Sequence, residues 1–147
     1  MSAPTPRPER FRHPERVAGL FVAVSWAALV FAVFGMLSVL LDRDPVEQPV
    51  GPYFGLVAIL LAMGVVYLGI VLTVPARSPW LGALATAAGV YLVIVATAAL
   101  VDLSLAFAQA SSPFVLVAAF LALAPPIACW AYFRGRGSDT PRTRVSS

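Results

Sequence analysis

With 60% of its 147 residues hydrophobic and only 12% charged, the chain lacks the polar surface that a water-soluble domain of this size needs around its core. A net charge of +3 and an isoelectric point near 9.6 would suit a nucleic-acid partner, but the charge is distributed wrongly for one. Its ten arginines (there is no lysine) sit mainly at the two ends and form no stripe along a helix. That bias, with abundant alanine, fits a high-GC bacterial genome.

Charges are confined to the termini and short connectors, leaving charge-free runs at 17–41, 48–76, 78–101 and 103–133. Each exceeds the roughly eighteen residues at which a membrane span becomes the default reading. The predicted fold is therefore an all-α integral membrane protein, a four-transmembrane-helix bundle of up-down-up-down topology. Spans are expected at about 17–41, 52–74, 79–101 and 113–133 within a transmembrane domain 14–133. The basic tails, 1–13 and 134–147, are expected to be disordered.

Pro14 suits the first turn of the first helix, and Arg12 and Arg16, four apart, would share one face at headgroup level. The first apolar run exceeds the roughly 7–15 residues of a cleaved signal peptide and lacks an A-x-A site, so it reads as an uncleaved anchor. Trp26 lies too deep for the interfacial belt and is expected to pack against another helix. Gly51 and Gly55 form a GxxxG at the start of the second span, and Ala58 and Ala62 extend the small face. Gly64 and Gly69 are further marks of close packing.

The second connector is only Pro75-Ala-Arg-Ser-Pro79, with Arg77 its sole charge, which forces spans two and three into a hairpin. That hairpin is expected to be the tightest pairing, with Gly55, Ala58 and Ala62 against Ala85 and Gly89. Gly82 and Thr86 add to the small face of the third span. The third helix is expected to end at Val101, leaving Asp102 in headgroup water, with the polar stretch through Ser104, Gln109, Ser111 and Ser112 lying along the interface. Continuation to Gln109 would instead sink the carboxylate about 10 Å and demand a partner for it.

In the fourth span Pro113 suits a first turn, whereas Pro125-Pro126 falls inside the helix and predicts a kink or local unwinding, either a fixed bend or a functional notch. Trp130, Tyr132 and Phe133 form an aromatic belt before Arg134 and Arg136. Nine arginines fall on the side of the tails and one, Arg43, opposite, which places both termini in the cytoplasm of a bacterial inner membrane.

The chain offers little chemistry. Apart from interfacial Asp102 the spans carry no carboxylate or basic group, His13 and Cys129 are far apart, and Asp42, Asp44 and Glu47 read as a solvated loop and not a cation site. No residue is singled out as catalytic, cofactor-binding or metal-ligating, and no enzyme activity is expected. The partners implied are the lipid bilayer and a membrane protein or a second copy, with no nucleic acid and no cofactor. The function expected is an accessory or scaffold subunit of a larger membrane assembly, or a homo-oligomer. The alternative is a small transporter or channel-like protein acting as an oligomer, with Tyr67, Thr86, Tyr91 and Thr97 lining the path and Pro125-Pro126 as the moving part.

Overall fold

The computed structural model describes residues 14–42, 44–45, 51 and 53–137. The tails 1–13 and 138–147, with Arg12, and also Arg43, Glu47 and Pro52, lie outside the described residues.

Six helices are described: α1 (Pro14–Leu41), α2 (Phe54–Thr73), α3 (Pro79–Val101), α4 (Leu103–Ala110), α5 (Pro113–Leu121) and α6 (Ala124–Gly137). Four stretches are long and apolar enough to cross a membrane: Arg16–Leu41, Phe54–Thr73, Pro79–Val101 and Pro113–Arg136. The molecule is a small all-α, multi-pass membrane protein. As in a lipid-facing bundle, many small residues are buried and many large apolar side chains face outward, although Trp26, Ile70, Leu105 and Phe114 are also buried. Ala23, Ala83, Ala98 and Ala118 are fully buried, whereas Phe21, Leu81, Leu100 and Phe120 are 70–89% exposed. In water such a surface would aggregate; in hydrocarbon it is the favourable arrangement.

The fourth span is two helices. α5 closes with the Ala122 amide donating back to Ala118 O and Ala119 O, and α6 restarts at Ala124. Pro125 and Pro126, both buried, therefore occupy the first turn of a new helix, where their missing N–H groups are not needed. The break two residues upstream is how the chain accommodates the proline pair.

One boundary differs from the sequence-based expectation. The helix of the last span continues to Gly137, so residues 134–137 are helical and not part of a disordered tail. Arg134 stacks on Trp130 and Arg136 on Tyr132, with 4.8 and 4.2 Å from guanidinium carbon to ring centroid. These are i, i+4 pairs that hold the final turn and place positive charge at the negative end of the helix dipole.

α3 ends at Val101, as expected, and the stretch after Asp102 forms α4, which folds back on α3. Leu105 and Ala106 pack with Ala98, and the Tyr91 hydroxyl donates to Ala110 O at 2.9 Å. The apolar face of this short helix finds protein to cover it, and Gln109, 6% exposed, donates its side-chain amide to Pro45 O at 3.1 Å.

Candidate functional site

The α2–α3 hairpin is the most extensive helix pairing in the molecule. Its seam is built from two Gly-x-x-x-Thr pairs, Gly69 with Thr73 on α2 and Gly82 with Thr86 on α3, each glycine facing the other helix's threonine. A Cβ on Gly69 would overlap Thr86 Oγ1 and stand 2.9 Å from Thr86 Cβ. One on Gly82 would overlap Thr73 Oγ1 and stand 2.9 Å from Thr73 Cβ. A Cβ on Gly89 would come within 2.8 Å of Val65 Cγ1. As the α2 numbers rise through 65, 69 and 73, the α3 partners fall through 89, 86 and 82, so the two helices run antiparallel.

Several predicted packing residues are placed elsewhere. Gly51 precedes α2 and accepts a turn bond from the Phe54 amide at 3.0 Å, so it shares no helix face with Gly55. A Cβ at Gly51, Gly55 or Gly64 would meet nothing within 4 Å, and Ala85 is exposed on the outer edge of the hairpin. Gly55 and Ala85 are therefore not in the seam, whereas Gly82 and Gly89 are. Ala58 and Ala62 are buried, 5% and 1% exposed. The residue whose role the small-residue count understated is Gly69; its signal was the Gly-x-x-x-Thr spacing repeated in the next helix.

Gly55 instead marks the edge of a groove. Near the start of α1 the first two helices are close, and a Cβ at Gly19 would lie 3.3 Å from Ile70 Cγ2 and 3.7 Å from the Tyr67 ring. Near the other end of the pair lies a hollow of about 360 Å³, lined by residues including Phe31, Phe34, Gly35, Phe54, Gly55 and Phe114. Phe34 and Phe114 meet edge to face, with centroids 5.4 Å apart. Gly35, like Gly55, is exposed, and a Cβ there would meet nothing within 4 Å. Gln109, Ser38 and Pro45 supply the polar part of the lining. The remainder is apolar, a shape and chemistry that can take an apolar chain or a helix face.

Asp102 joins α3 to α4. It lies beyond the last residue of α3, fully exposed, and its Oδ1 accepts from the Ser104 amide at 2.6 Å as the N-cap of α4. Hydrogen bonds from the Ser104 side chain and amide hold its carboxyl below the ordinary value of 3.8.

At the opposite end, Trp130 Nε1 donates to Ala76 O at 2.9 Å and Arg134 Nη1 to Arg77 O at 3.4 Å, tying α6 to the α2–α3 connector. Arg16 and Arg136 are exposed. Of the polar groups expected along a transport path, Thr86, Tyr91 and Thr97 donate to backbone carbonyls of the chain itself. The Thr86 hydroxyl donates to Gly82 O and that of Thr97 to Val93 O, both at 2.7 Å, and the two residues line different hollows. No family model, curated protein or solved structure matches this chain.

Proposed function

We propose that the chain is an accessory or scaffold subunit of a larger membrane assembly, or self-associates, and holds a transmembrane helix of its partner in the groove between α1 and α2. The role is non-catalytic. The observation that carries the reading is the glycine at each wall of that groove. Helices in lipid associate through close backbone approach, which Gly35 and Gly55 permit from outside the bundle. Gln109 and the Pro45 carbonyl give the same groove a polar anchor.

In this reading the bundle runs up-down-up-down in a bacterial cytoplasmic membrane with both termini inside. The alternation is supported by Gly19 beside Tyr67 and Ile70, by the antiparallel seam of α2 and α3, by Phe34 beside Phe114, and by Trp130 beside Ala76. Arg77, Arg134 and Arg136 belong to one end and Asp42, Asp44 and Asp102 to the other, and the excess of arginine marks the cytoplasmic side.

The test is co-purification from native membranes in mild detergent. Wild type is expected to carry a stoichiometric partner or a second copy, and Gly35→Ile with Gly55→Ile to lose it while remaining folded. A monodisperse monomer at every expression level would contradict the proposal. The broken fourth span favours a second reading, an oligomeric transporter in which the break at Ala122–Leu123 moves. Flux into proteoliposomes, abolished by replacing Pro125 and Pro126 with alanine, would establish that reading; absence of flux for ions, sugars and lipids would remove it.

A further inference from the structure

We infer that the helix held in the groove belongs to a different protein and presents a hydrogen-bond donor, a hydroxyl or a carboxamide, to Gln109 Oε1. The inference rests on the groove reading and names what the groove selects. From Phe31 to Leu41 no residue of α1 is buried, so no described element covers this wall of the groove over roughly 15 Å of helix. Gln109, also in the lining, is only 6% exposed. Its Nε2 donates to Pro45 O at 3.1 Å, which fixes the carboxamide's orientation because a proline carbonyl can only accept. Its Oε1 accepts from none of the described residues, yet it is not sealed in the core as Trp26 Nε1 and Thr73 Oγ1 are.

The hollow is otherwise mainly apolar, and an acceptor left unpaired against such walls is costly, so whatever fills the space has to donate to it. An acyl chain has no donor. Nor do the membrane-crossing faces of a second copy offer one at this depth. In the halves of α1, α2, α3 and α5 at the groove's end, 29–41, 54–63, 90–101 and 113–121, every exposed residue is apolar or glycine. Of the polar side chains in these stretches, Tyr91 and Thr97 donate within the chain, and Ser38 lies in the groove itself. A helix of another chain meets both conditions. Its backbone can come close at Gly35 and Gly55, and one Ser, Thr, Asn or Gln on its docking face reaches Gln109 Oε1.

Full-length protein carrying a benzophenone side chain in place of Phe31, in the groove lining, is irradiated in native membranes and its adducts are mapped by peptide sequencing. The expected adduct is to one membrane-crossing helix of another protein, within one turn of a Ser, Thr, Asn or Gln. Gln109→Met, which keeps the side chain's length and removes the acceptor, should lower adduct yield roughly three- to ten-fold at unchanged folded yield. Replacing the mapped donor by its apolar isostere should lower adduct yield as much, and no further in the Gln109→Met background. A merely structural role for Gln109 would make the two losses additive. Should Gln109→Met fail to fold, the donor replacement, which leaves this chain intact, decides the matter. A mapped helix without a donor within one turn, an unchanged yield on either replacement, or additive losses would overturn the inference and leave the groove's partner role standing. An adduct to a second copy would overturn the assignment to a different protein. Lipid adducts alone would remove the groove reading and this inference with it.

Discussion

Gly69 of α2 and Thr86 of α3 lie so close that no side chain fits between them, and Gly82 and Thr73 repeat the contact with the roles exchanged. Each threonine occupies the space that its partner glycine leaves, so the backbones of the hairpin can approach closely. In a bilayer, where apolar side chains gain nothing by leaving lipid, this dense packing is what holds the pair together.

The consequence for mutagenesis is a sharp contrast between glycines. Gly69→Ala or Gly82→Ala forces the backbones apart, because the threonine Cβ at 2.9 Å has no rotamer that removes it, at an expected cost of about 1–3 kcal/mol. Isoleucine at either site should abolish folded yield, whereas Gly55→Ile and Gly35→Ile should leave yield unchanged, as measured by size exclusion of a fluorescent fusion. Equal tolerance at all four sites would show that the seam does not control folding.

The two seam threonines differ in their hydroxyls. That of Thr86 donates to Gly82 O, whereas Thr73 Oγ1 is buried and has no hydrogen-bond partner. Valine, which preserves the shape, should therefore be neutral at Thr73 or stabilise by up to about 1 kcal/mol. At Thr86, whose hydroxyl bonds within its own helix, it should destabilise by about 0.5–1 kcal/mol. Thermal melting in detergent distinguishes the two signs.

Asp102 gives α4 a pH dependence. Its folded-state pKa is lowered, so the capping contribution is complete above the ordinary carboxylate value near 3.8 and is lost as pH falls through the lower folded value. Amide exchange in α4 relative to α3 should accelerate only below about pH 4. Asp102→Asn, which keeps the cap acceptor without titrating, should remove that dependence, and Asp102→Ala should speed exchange in α4 at all pH values.

Topology is tested by single cysteines in a Cys129→Ser background. Those at Ser2 and Ser147 should resist a membrane-impermeant maleimide in intact cells, and one at Gln48 should label. Labelling of either tail before lysis would reverse the assigned orientation.

Much of the fold was legible in the sequence because charge-free runs and prolines are strong signals in a membrane chain. The positions of Pro79 and Pro113 at helix starts, and of Pro125-Pro126 at a break, follow from the one amide each lacks. Which small residues face inward was less legible. Gly55 and Gly69 have the same composition signal, but only the rotation of α2 in the bundle decides that one borders the groove and the other faces Thr86. The groove was not legible either, since its lining is drawn from five helices, which no local pattern encodes. Likewise the folding back of α4 depends on Ala98 and Tyr91, residues that the sequence separates from their partners by a turn.

The most direct measurement of the proposed role is site-specific photo-crosslinking in native membranes, with a benzophenone side chain placed at Gly55 and, as control, at outward-facing Leu100. The account predicts one discrete protein adduct from Gly55, to a single partner or to a second copy of the chain, and none from Leu100. Lipid adducts alone from both positions would contradict it.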